Sequence, residues 1–395
     1  MSALRASNTY FVRDIGLQPM LTDVSPAGLQ CSEETLLFSS IKIKIFAGMH
    51  NDLLYQIALT LVPNIGDVQA KALISQFGDA STIFKTRRRE LELIDGMGTI
   101  RARAIKSFSD FDKAEKEISF IEKFKISPLF ITDATYPKRL LNCYDSPLLL
   151  YYKGNANLNT SKVLSIVGTR NFNEYGKSVC EKLIEDLANQ DILIISGLAY
   201  GIDTIAHRAT IKSGLQTVGV LAHGLDMIYP SENKSLAKHM LDQGGLLTDY
   251  KSGTNPDKQN FPRRNRIVAG MSDAVLVIQS GLKGGSLITA ELANGYNKDV
   301  FAIPGRLTDS KHEGCNYLIK VNKAGLITSA QDILENMNWT EVKNKPRKQR
   351  ELFIDLTPDE KIITDILKEQ EQIHIDELYF KSSISSSAMA CALLP

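Results

Sequence analysis

Between about residue 126 and residue 338, short apolar runs alternate with longer amphipathic segments. The runs are rich in Ile, Val and Leu: Val163–Val167, Ile192–Ile195, Val218–Leu221, Leu246–Thr248, Val275–Ile278, Val300–Ile303 and Leu326–Thr328. The segments between them have the spacing of helices: Tyr175–Asn189, Ile202–Lys212, Lys234–Leu241, Ser286–Tyr296 and Glu313–Lys323. Strands that alternate with helices predict an α/β fold with a doubly wound parallel sheet. Two earlier runs, Leu129–Thr132 and Leu148–Tyr152, are predicted to extend the same sheet.

Residues 49–125 are predicted to form a small helical domain, of the helix-hairpin-helix or SAM-like type, because apolar pairs recur there at helical spacing. A turn at Val62-Pro-Asn-Ile-Gly66 precedes one helical pattern, and Leu93-Ile-Asp-Gly-Met-Gly98 repeats the plan. This order resembles the helix-hairpin-helix module, in which glycines let backbone N–H groups face a phosphate. The alternative is a small helical bundle that only packs on its neighbour.

The two ends of the chain differ from the sheet region. Residues 1–48 show no sustained period, so we assign them no function and expect poor order. The sheet domain is expected to span 126–340 and to be followed by a charged linker at 341–356. In 357–395, a capping box that begins at Thr357 marks a helix start. Two helices and the start of a third are predicted there, resembling a winged-helix domain without its wing: near 358–369, near 374–381 and from Ser385.

Composition narrows the classes of protein that fit this pattern. The chain has 395 residues, 43% of them hydrophobic, and a formal net charge of +1, which suits a globular protein of two or three domains. No apolar run approaches the roughly 18–20 residues of a membrane span, and the N-terminal residues lack the pattern of a signal peptide. The five cysteines form no CxxC pair and the six histidines form no HExxH motif. We therefore expect a cytoplasmic protein with no metal site and no cofactor.

The strongest chemical signal is a local cluster of positive charge, Lys258-Gln-Asn-Phe-Pro-Arg-Arg-Asn-Arg266. Its four cations offer contacts to phosphate oxygens, and Phe261 offers a face on which a base can stack. Pro262 suits the first position of a helix, whose first turns would then carry Arg263 through Arg266. The alternative is a solvated basic helix in which Phe261 covers an edge of the core.

Three turns with Gly or Ser follow predicted strands, where backbone N–H groups can bind phosphate. They are Gly168-Thr169-Arg170, Ser196-Gly197 and Gly284-Gly285-Ser286. The first turn lacks the Gly-x-Gly-x-x-Gly pattern, so it suits a single phosphate better than a dinucleotide. Each turn has a simpler alternative, in which its glycines only serve the geometry of the loop. Arg170 can then pair with a surface acid. Asp203, which follows the Ser196-Gly197 turn, can cap the next helix or hold a neighbouring Arg.

Six motifs follow one another along the chain: Gly168-Thr-Arg170, Ser196-Gly-Leu-Ala-x-Gly-Ile-Asp203, Gly224-Leu-Asp-x-x-Tyr-Pro230, Phe261-Pro-x-Arg-Asn-Arg266, Gly285-Ser-Leu-Ile-Thr-Ala290 and Val300-Phe-Ala-Ile-Pro-Gly305. Together they resemble the DNA-processing protein A family (DprA, also called Smf) over roughly residues 51–338. The resemblance implies an extended Rossmann-like domain that binds single-stranded DNA, protects incoming strands in natural transformation and loads the RecA recombinase. It also implies a homodimer with no known catalytic centre.

The resemblance carries the family's DNA-binding residues onto this chain. The matching positions are Arg170, Lys258, Phe261, Arg264, Asn265 and Arg266, with Arg263 at a variable position. The turns that suit anions all lie at the carboxyl ends of strands, where open α/β sheets bind ligands. No nucleophile–base pair, metal cluster or paired carboxylates accompany them in the sequence. We therefore expect a DNA-binding protein that is not an enzyme.

Two other functions stay open. One is a nucleotide-processing enzyme, because Gly284-Gly-Ser-Leu-Ile-Thr-Ala-Glu291 loosely resembles the catalytic loop of Rossmann-type phosphoribohydrolases, although the leading Pro and central Gly-Thr are missing. Hydrolysis of ATP is not indicated, because Asn171 stands where a P-loop before Gly176-Lys177-Ser178 requires Gly. The other is a regulator that binds duplex DNA through the winged-helix-like segment.

Overall fold

The computed structural model describes residues 52–340, 356–370 and 373–393. The chain forms two compact units, divided between Trp339 and Thr340. The predicted poor order of 1–48 and the predicted linker, apart from Leu356, lie outside the described residues. Those two expectations stay predictions.

The described part of the first unit begins with six helices: α1 (52–61), α2 (Asp67–Phe77), α3 (Ala80–Lys85), α4 (Arg88–Glu92), α5 (Gly98–Lys106) and α6 (Phe111–Phe124). Apolar side chains of these helices, among them Ile57, Leu73 and Ile118, are almost fully buried in one core. The same core includes Phe130 and Tyr151 of the sheet. The helical module therefore packs directly against the sheet domain.

The two repeated turns of the helical module are joined by Arg101. Its Nε donates to Asn64 O (3.0 Å) in the first turn, and its guanidinium also donates to Gly96 O in the second. Asn64 has φ +64°, the left-handed conformation that Asn tolerates better than most residues. Gly66 caps the N-terminus of α2. The helix–turn–helix order is thus present, and a phosphate contact by these turns stays a prediction.

The sheet contains nine strands within the described residues: β1 (Ser127–Phe130), β2 (Leu149–Gly154), β3 (Val163–Gly168), β4 (Leu193–Ser196), β5 (Thr217–Val220), β6 (Gly244–Thr248), β7 (Ala274–Gln279), β8 (Asp299–Ala302) and β9 (Gly325–Leu326). Their order is β1-β2-β6-β5-β4-β3-β7-β8-β9. Neighbours among β3 to β9 are all parallel, which confirms the predicted doubly wound α/β fold. The two early strands extend this sheet as predicted, and they do so through antiparallel pairs.

Helices cover both faces of the sheet: α7 (Lys138–Leu141), α8 (Glu174–Asp186), α9 (Ile202–Lys212), α10 (Lys234–Asp242), α11 (Asn260–Gly270), α12 (Gly285–Gly295), α13 (Glu313–Lys320) and α14 (Ala330–Asn336). One core joins the sheet to α7, α11, α12 and α13, and the other joins it to α8, α9 and α14. Because successive strand residues face opposite sides, Ile194 and Ile195 enter different cores. Burial on both faces explains the near-continuous apolar runs.

The second unit has three helices in its described part: α15 (Pro358–Glu369), α16 (Ile375–Ser382) and α17 (Ser386–Leu393). The capping box at Thr357 is present, and Ile363, Leu378 and Met389 form a small core. The helices lie where the sequence predicts them, while the resemblance to a winged helix stays a prediction. Across the described residues of both units, every helix is too short or too polar to cross a lipid bilayer.

Candidate nucleic-acid interface

The strand order determines where the predicted binding residues meet. From β3 the chain winds outward through β4 and β5 to β6, and it then returns to place β7 on the other side of β3. The direction of winding reverses at β3, and crevices outside the carboxyl ends of strands at such a point are where open α/β sheets bind ligands. The loops that follow β3, β4 and β5 line one cleft there.

Arg170 lies in the loop that leaves β3, and neighbouring backbone holds this loop in place. The Thr169 N–H donates to Gln279 O (2.8 Å) at the end of β7, and the Ile202 N–H donates to Thr169 O (3.2 Å). Gly201 packs so closely that a Cβ there would lie 2.3 Å from Thr169 O. Its φ of +85° also favours glycine. The Arg170 side chain is exposed at the end of this fixed turn.

The continuation of the same loop is held by side chains at the end of β7 and after β8. Asn173 donates from Nδ2 to Asp309 (3.1 Å) and from its backbone to Gln279 Oε1 (3.2 Å). Lys311 Nζ donates to Phe172 O (3.3 Å). These contacts were not predicted, because their partners are more than a hundred residues apart in sequence.

Helix α11 brings Phe261 to Arg170. The Arg170 Cζ lies 5.3 Å from the centroid of the Phe261 ring, which is the geometry of a cation–π contact. The helix begins at Asn260, so Pro262 occupies the third position rather than the predicted first one. Proline is tolerated at both positions because the first four N–H groups of a helix have no intrahelical partner. Phe261 is half-buried, and Lys258, just before the helix, is exposed.

Arg264, by contrast, is buried inside the protein and only 4% exposed. Its guanidinium donates to Gly197 O after β4 and to Val220 O at the end of β5. Burial lowers the pKa of Arg264, an effect that the buried Asp203 opposes, and burial raises the pKa of Asp203 against the effect of Arg264. We expected Arg264 to contact DNA; its guanidinium holds two strand ends together, and the residue also lines the cleft. A direct DNA contact by Arg264 stays untested.

Arg266 also has its partners within the protein. Its NH2 group lies 2.6 Å from Asp249 and 2.9 Å from Asp67 of α2, and its NH1 group donates to Asp145 O. Burial lowers the pKa of Arg266, but the two carboxylates outweigh this effect and raise it. The ion pair with Asp67 joins α11 to the helical module, and the expected phosphate contact of Arg266 stays a prediction.

The polar groups of the Ser196-Gly197 turn are also used internally. Ser196 is buried and its Oγ donates to Ile166 O (2.6 Å). The Asp203 carboxylate accepts from the Ala199 N–H (3.3 Å) and interacts with the Arg264 charge, in line with the alternative that Asp203 holds a neighbouring Arg. The predicted role of Ser196 and Gly197 in binding phosphate stays a prediction.

The Gly284-Gly285-Ser286 turn begins α12, as predicted from the sequence. Ser286 is buried and its Oγ donates to Ser280 Oγ (2.8 Å), whereas Gly285 is exposed at the first position of the helix. Asn265 Nδ2 reaches Gly285 O at 3.4 Å, so α11 lies against this turn. Glu291, further along α12, forms an ion pair with Lys323 (2.7 Å), and this gives no support to the enzyme alternative.

The structure therefore separates the predicted residues into two groups. Arg170, Phe261 and Lys258 present exposed or half-exposed groups, whereas the side chains of Arg264 and Arg266 are engaged inside the protein. Sequence reasoning assigned no role to Tyr200 and Tyr229, two exposed tyrosines that line the same cleft as Arg170. Both lie within the motifs that resemble the DprA/Smf family, in the loops that follow β4 and β5, so the sequence did contain a signal for them.

The fold and this arrangement define a Rossmann-like α/β protein with a cationic and aromatic cleft at the carboxyl ends of its strands. Among the described residues, no group of three or more metal-ligating side chains accompanies the cleft. The sequence model described as "DNA recombination-mediator protein A" matches residues 127–338, more than half of the chain. The chain belongs to this family, the DprA/Smf proteins.

Individual relatives agree with this assignment. The DNA processing protein DprA of Streptococcus pneumoniae is 42% identical over 219 residues, which cover 55% of this chain and 77% of that protein. The protein Smf of Synechocystis is 33% identical over 303 residues, 75% of each chain. The X-ray structure of DprA from S. pneumoniae superposes with a TM-score of 0.63 at 33% identity, covering 71% of this chain and 97% of that one.

A second solved structure, of DNA processing protein A from Helicobacter pylori, is described as showing that protein's binding mode for single-stranded DNA. It superposes with a TM-score of 0.50 at 32% identity and covers 54% of this chain and 96% of that one. This superposition supports the predicted extended Rossmann-like fold.

Proposed function

We propose that this chain binds single-stranded DNA through Arg170, Phe261 and Lys258. The observation that carries the proposal is the placement of the Arg170 guanidinium over the Phe261 ring, at 5.3 Å, at the open end of the sheet. A cation beside an aromatic face suits a strand whose phosphate and base are both accessible. In a duplex the bases are stacked inside, so this pair would meet phosphate only.

The other predicted residues have indirect roles in this proposal. Arg264 positions the Gly197 loop and the end of β5, and it thereby shapes the floor of the cleft. Arg266 fixes α11, which carries Phe261, to α2 of the helical module. In this proposal both residues affect DNA binding by positioning the Gly197 loop and α11, and neither contacts the DNA directly.

The family membership extends the proposal to a cellular role. We propose that the protein acts in the cytoplasm as a homodimer, protects incoming single strands in natural transformation and loads RecA onto them, without enzymatic activity. The structure of the relative from H. pylori is described as showing a binding mode for single-stranded DNA, and this supports the binding of single strands in our proposal. The near-neutral net charge also favours binding at a local site over general attraction to nucleic acid.

The binding step is tested by fluorescence anisotropy with labelled oligo-dT and with a duplex of the same length, over a range of salt concentrations. We expect tighter binding to the single strand. Arg170→Ala should lower the affinity and reduce the salt slope by about one phosphate contact. Phe261→Ala should lower the affinity by roughly 5- to 150-fold, the equivalent of about 1–3 kcal/mol of stacking.

Arg208→Ala is the matched control, because Arg208 is an exposed arginine further along α9. It should bind oligo-dT like the unmodified protein. Equal affinity for single strand and duplex, or Arg170→Ala and Arg208→Ala with the same effect, would count against the proposed site. The RecA step is tested separately by the rate of RecA filament formation on single strands coated with a single-strand-binding protein, and no acceleration by this chain would contradict it.

A further inference from the structure

Two tyrosines extend the aromatic surface beside Arg170 and Phe261. Tyr200 follows β4 and is 42% exposed, and Tyr229 follows β5 and is 45% exposed. Both line the same cleft as Arg170 and Phe261. Side chains of this size are usually buried to a larger extent, so their exposure around one cleft is informative. Their flat faces are suited to bases that are free of a duplex.

The local structure holds both tyrosines in place without covering their rings. The Tyr200 hydroxyl donates to Glu232 Oε2 at 2.6 Å, and this hydrogen bond raises the pKa of Tyr200 to about 12. The Tyr229 N–H donates to Nε2 of the buried His223 at 3.2 Å, and the His223 Nδ1 pairs with Gly224 O at 2.9 Å. Burial lowers the pKa of His223, so its ring is neutral at neutral pH and keeps accepting from Tyr229.

The ring geometry shows how bases can use this surface. The ring centroids of Tyr229 and Phe261 are 5.9 Å apart and the planes are tilted by 54°. A base inserted between two rings needs roughly 7 Å, twice a normal contact distance, so the pair does not admit one. Each ring instead offers a face of its own, which suits two different bases of one strand.

Charge separates the base end of the cleft from the phosphate end. Glu232 is exposed and its carboxylate lies at the Tyr200 hydroxyl, where it would repel a phosphate. Arg170 lies on the Phe261 side, where it would attract one. A strand placed with its backbone at Arg170 therefore directs its bases toward the tyrosines.

We propose that Tyr229, with Tyr200 beside it, forms a second nucleobase subsite, which binds a base next to the one on Phe261. This inference rests on the proposed binding of single-stranded DNA and adds a subsite to it. The occupant is a base of the same strand, bound by stacking and without strong sequence preference, because every base has a π-face.

The test compares oligo-dT with a strand of the same length in which all bases are missing. Tyr229→Ala should weaken binding of oligo-dT at least about 5-fold, the equivalent of about 1 kcal/mol. On the abasic strand the same substitution should have no effect, because there is no base to stack. Tyr229→Phe keeps the aromatic face and should bind oligo-dT like the unmodified protein.

Tyr317→Ala is the matched control, because Tyr317 on α13 is 44% exposed and lies outside the cleft lining. It should leave both affinities unchanged. An equal loss for Tyr229→Ala on both strands would mean that Tyr229 only supports the fold of the loop, and no loss on oligo-dT would mean that no base binds there. Either result overturns the subsite while binding by the unmodified protein persists. If the unmodified protein binds no single strand at all, the proposed function fails and the subsite fails with it.

Discussion

Replacing Arg264 by alanine should destabilise the fold, although this residue lies in the most basic segment of the chain. Arg264 is 4% exposed and donates to two main-chain oxygens, Gly197 O and Val220 O. Asp203 is 7% exposed, and the positive charge of Arg264 stabilises its ionised carboxylate against the effect of burial. The substitution removes the Arg264 donor from both main-chain oxygens and leaves one buried carboxylate without a nearby cation.

The expected magnitude follows from these contacts. Removing one partner of a buried charged pair costs about 3–5 kcal/mol, because the other charge stays buried. At an m-value of about 3 kcal/mol/M this corresponds to a shift of the urea midpoint by about 1–2 M. Arg170→Ala removes only an exposed cation–π contact, worth about 0.5–1 kcal/mol.

Urea unfolding followed by tryptophan fluorescence measures the difference. Trp339 is the only tryptophan of the chain and packs in a core of the first unit, so its signal reports on that unit. Arg263→Ala is the control, since Arg263 is exposed in the same helix. A midpoint for Arg264→Ala equal to that of Arg263→Ala would refute the assignment of Arg264 as an internal positioning residue.

Three further predictions follow from the same structure. Arg266→Met should lower the free energy of unfolding by about 3–5 kcal/mol, because it leaves the Asp249 carboxylate, only 11% exposed, unpaired; an unchanged urea midpoint would contradict this. Burial lowers the pKa of His207 to about 3. Below about pH 6.5 this imidazole is therefore protonated in the unfolded chain but stays neutral in the folded protein. Stability should therefore fall by about 2 kcal/mol through this group between pH 7 and pH 5. Melting temperatures of His207→Gln should show a weaker dependence over that range, whereas His239→Gln, at an exposed histidine, should keep the full dependence. A protein limited to residues 49–340 should fold and bind oligo-dT in anisotropy measurements, because the residues proposed to bind DNA lie within that range. If this protein folds but does not bind oligo-dT, the binding site lies outside these residues.

The architecture of the sheet was predictable because its strands are buried on both faces and carry few polar residues. Helix α9, Ile202–Lys212, has the predicted bounds, since a strand and a glycine turn precede it and its apolar spacing is regular. The antiparallel pairing of β1 and β2 was not predictable from apolar runs, because those runs carry no information on strand direction.

The binding residues were harder to separate, because residue type alone does not distinguish an exposed arginine from a buried one. Arg264 lies three and four positions before the buried Ile267 and Val268. This helical spacing places Arg264 on the buried face of α11, so a local signal for its burial was present. No local signal indicated that Arg266 pairs with Asp67, which is 199 positions away. The position of Tyr229 beside Phe261 likewise depends on how the loop after β5 meets the start of α11.

An experimental structure of the protein with oligo-dT bound tests most directly whether single-stranded DNA binds at Arg170 and Phe261. We expect one base stacked on Phe261 and a phosphate oxygen within hydrogen-bonding distance of the Arg170 guanidinium. Arg264 should keep its contacts to Gly197 O and Val220 O in that complex. A strand bound elsewhere, with Arg170 still lying over an unoccupied Phe261, would contradict the proposed binding site.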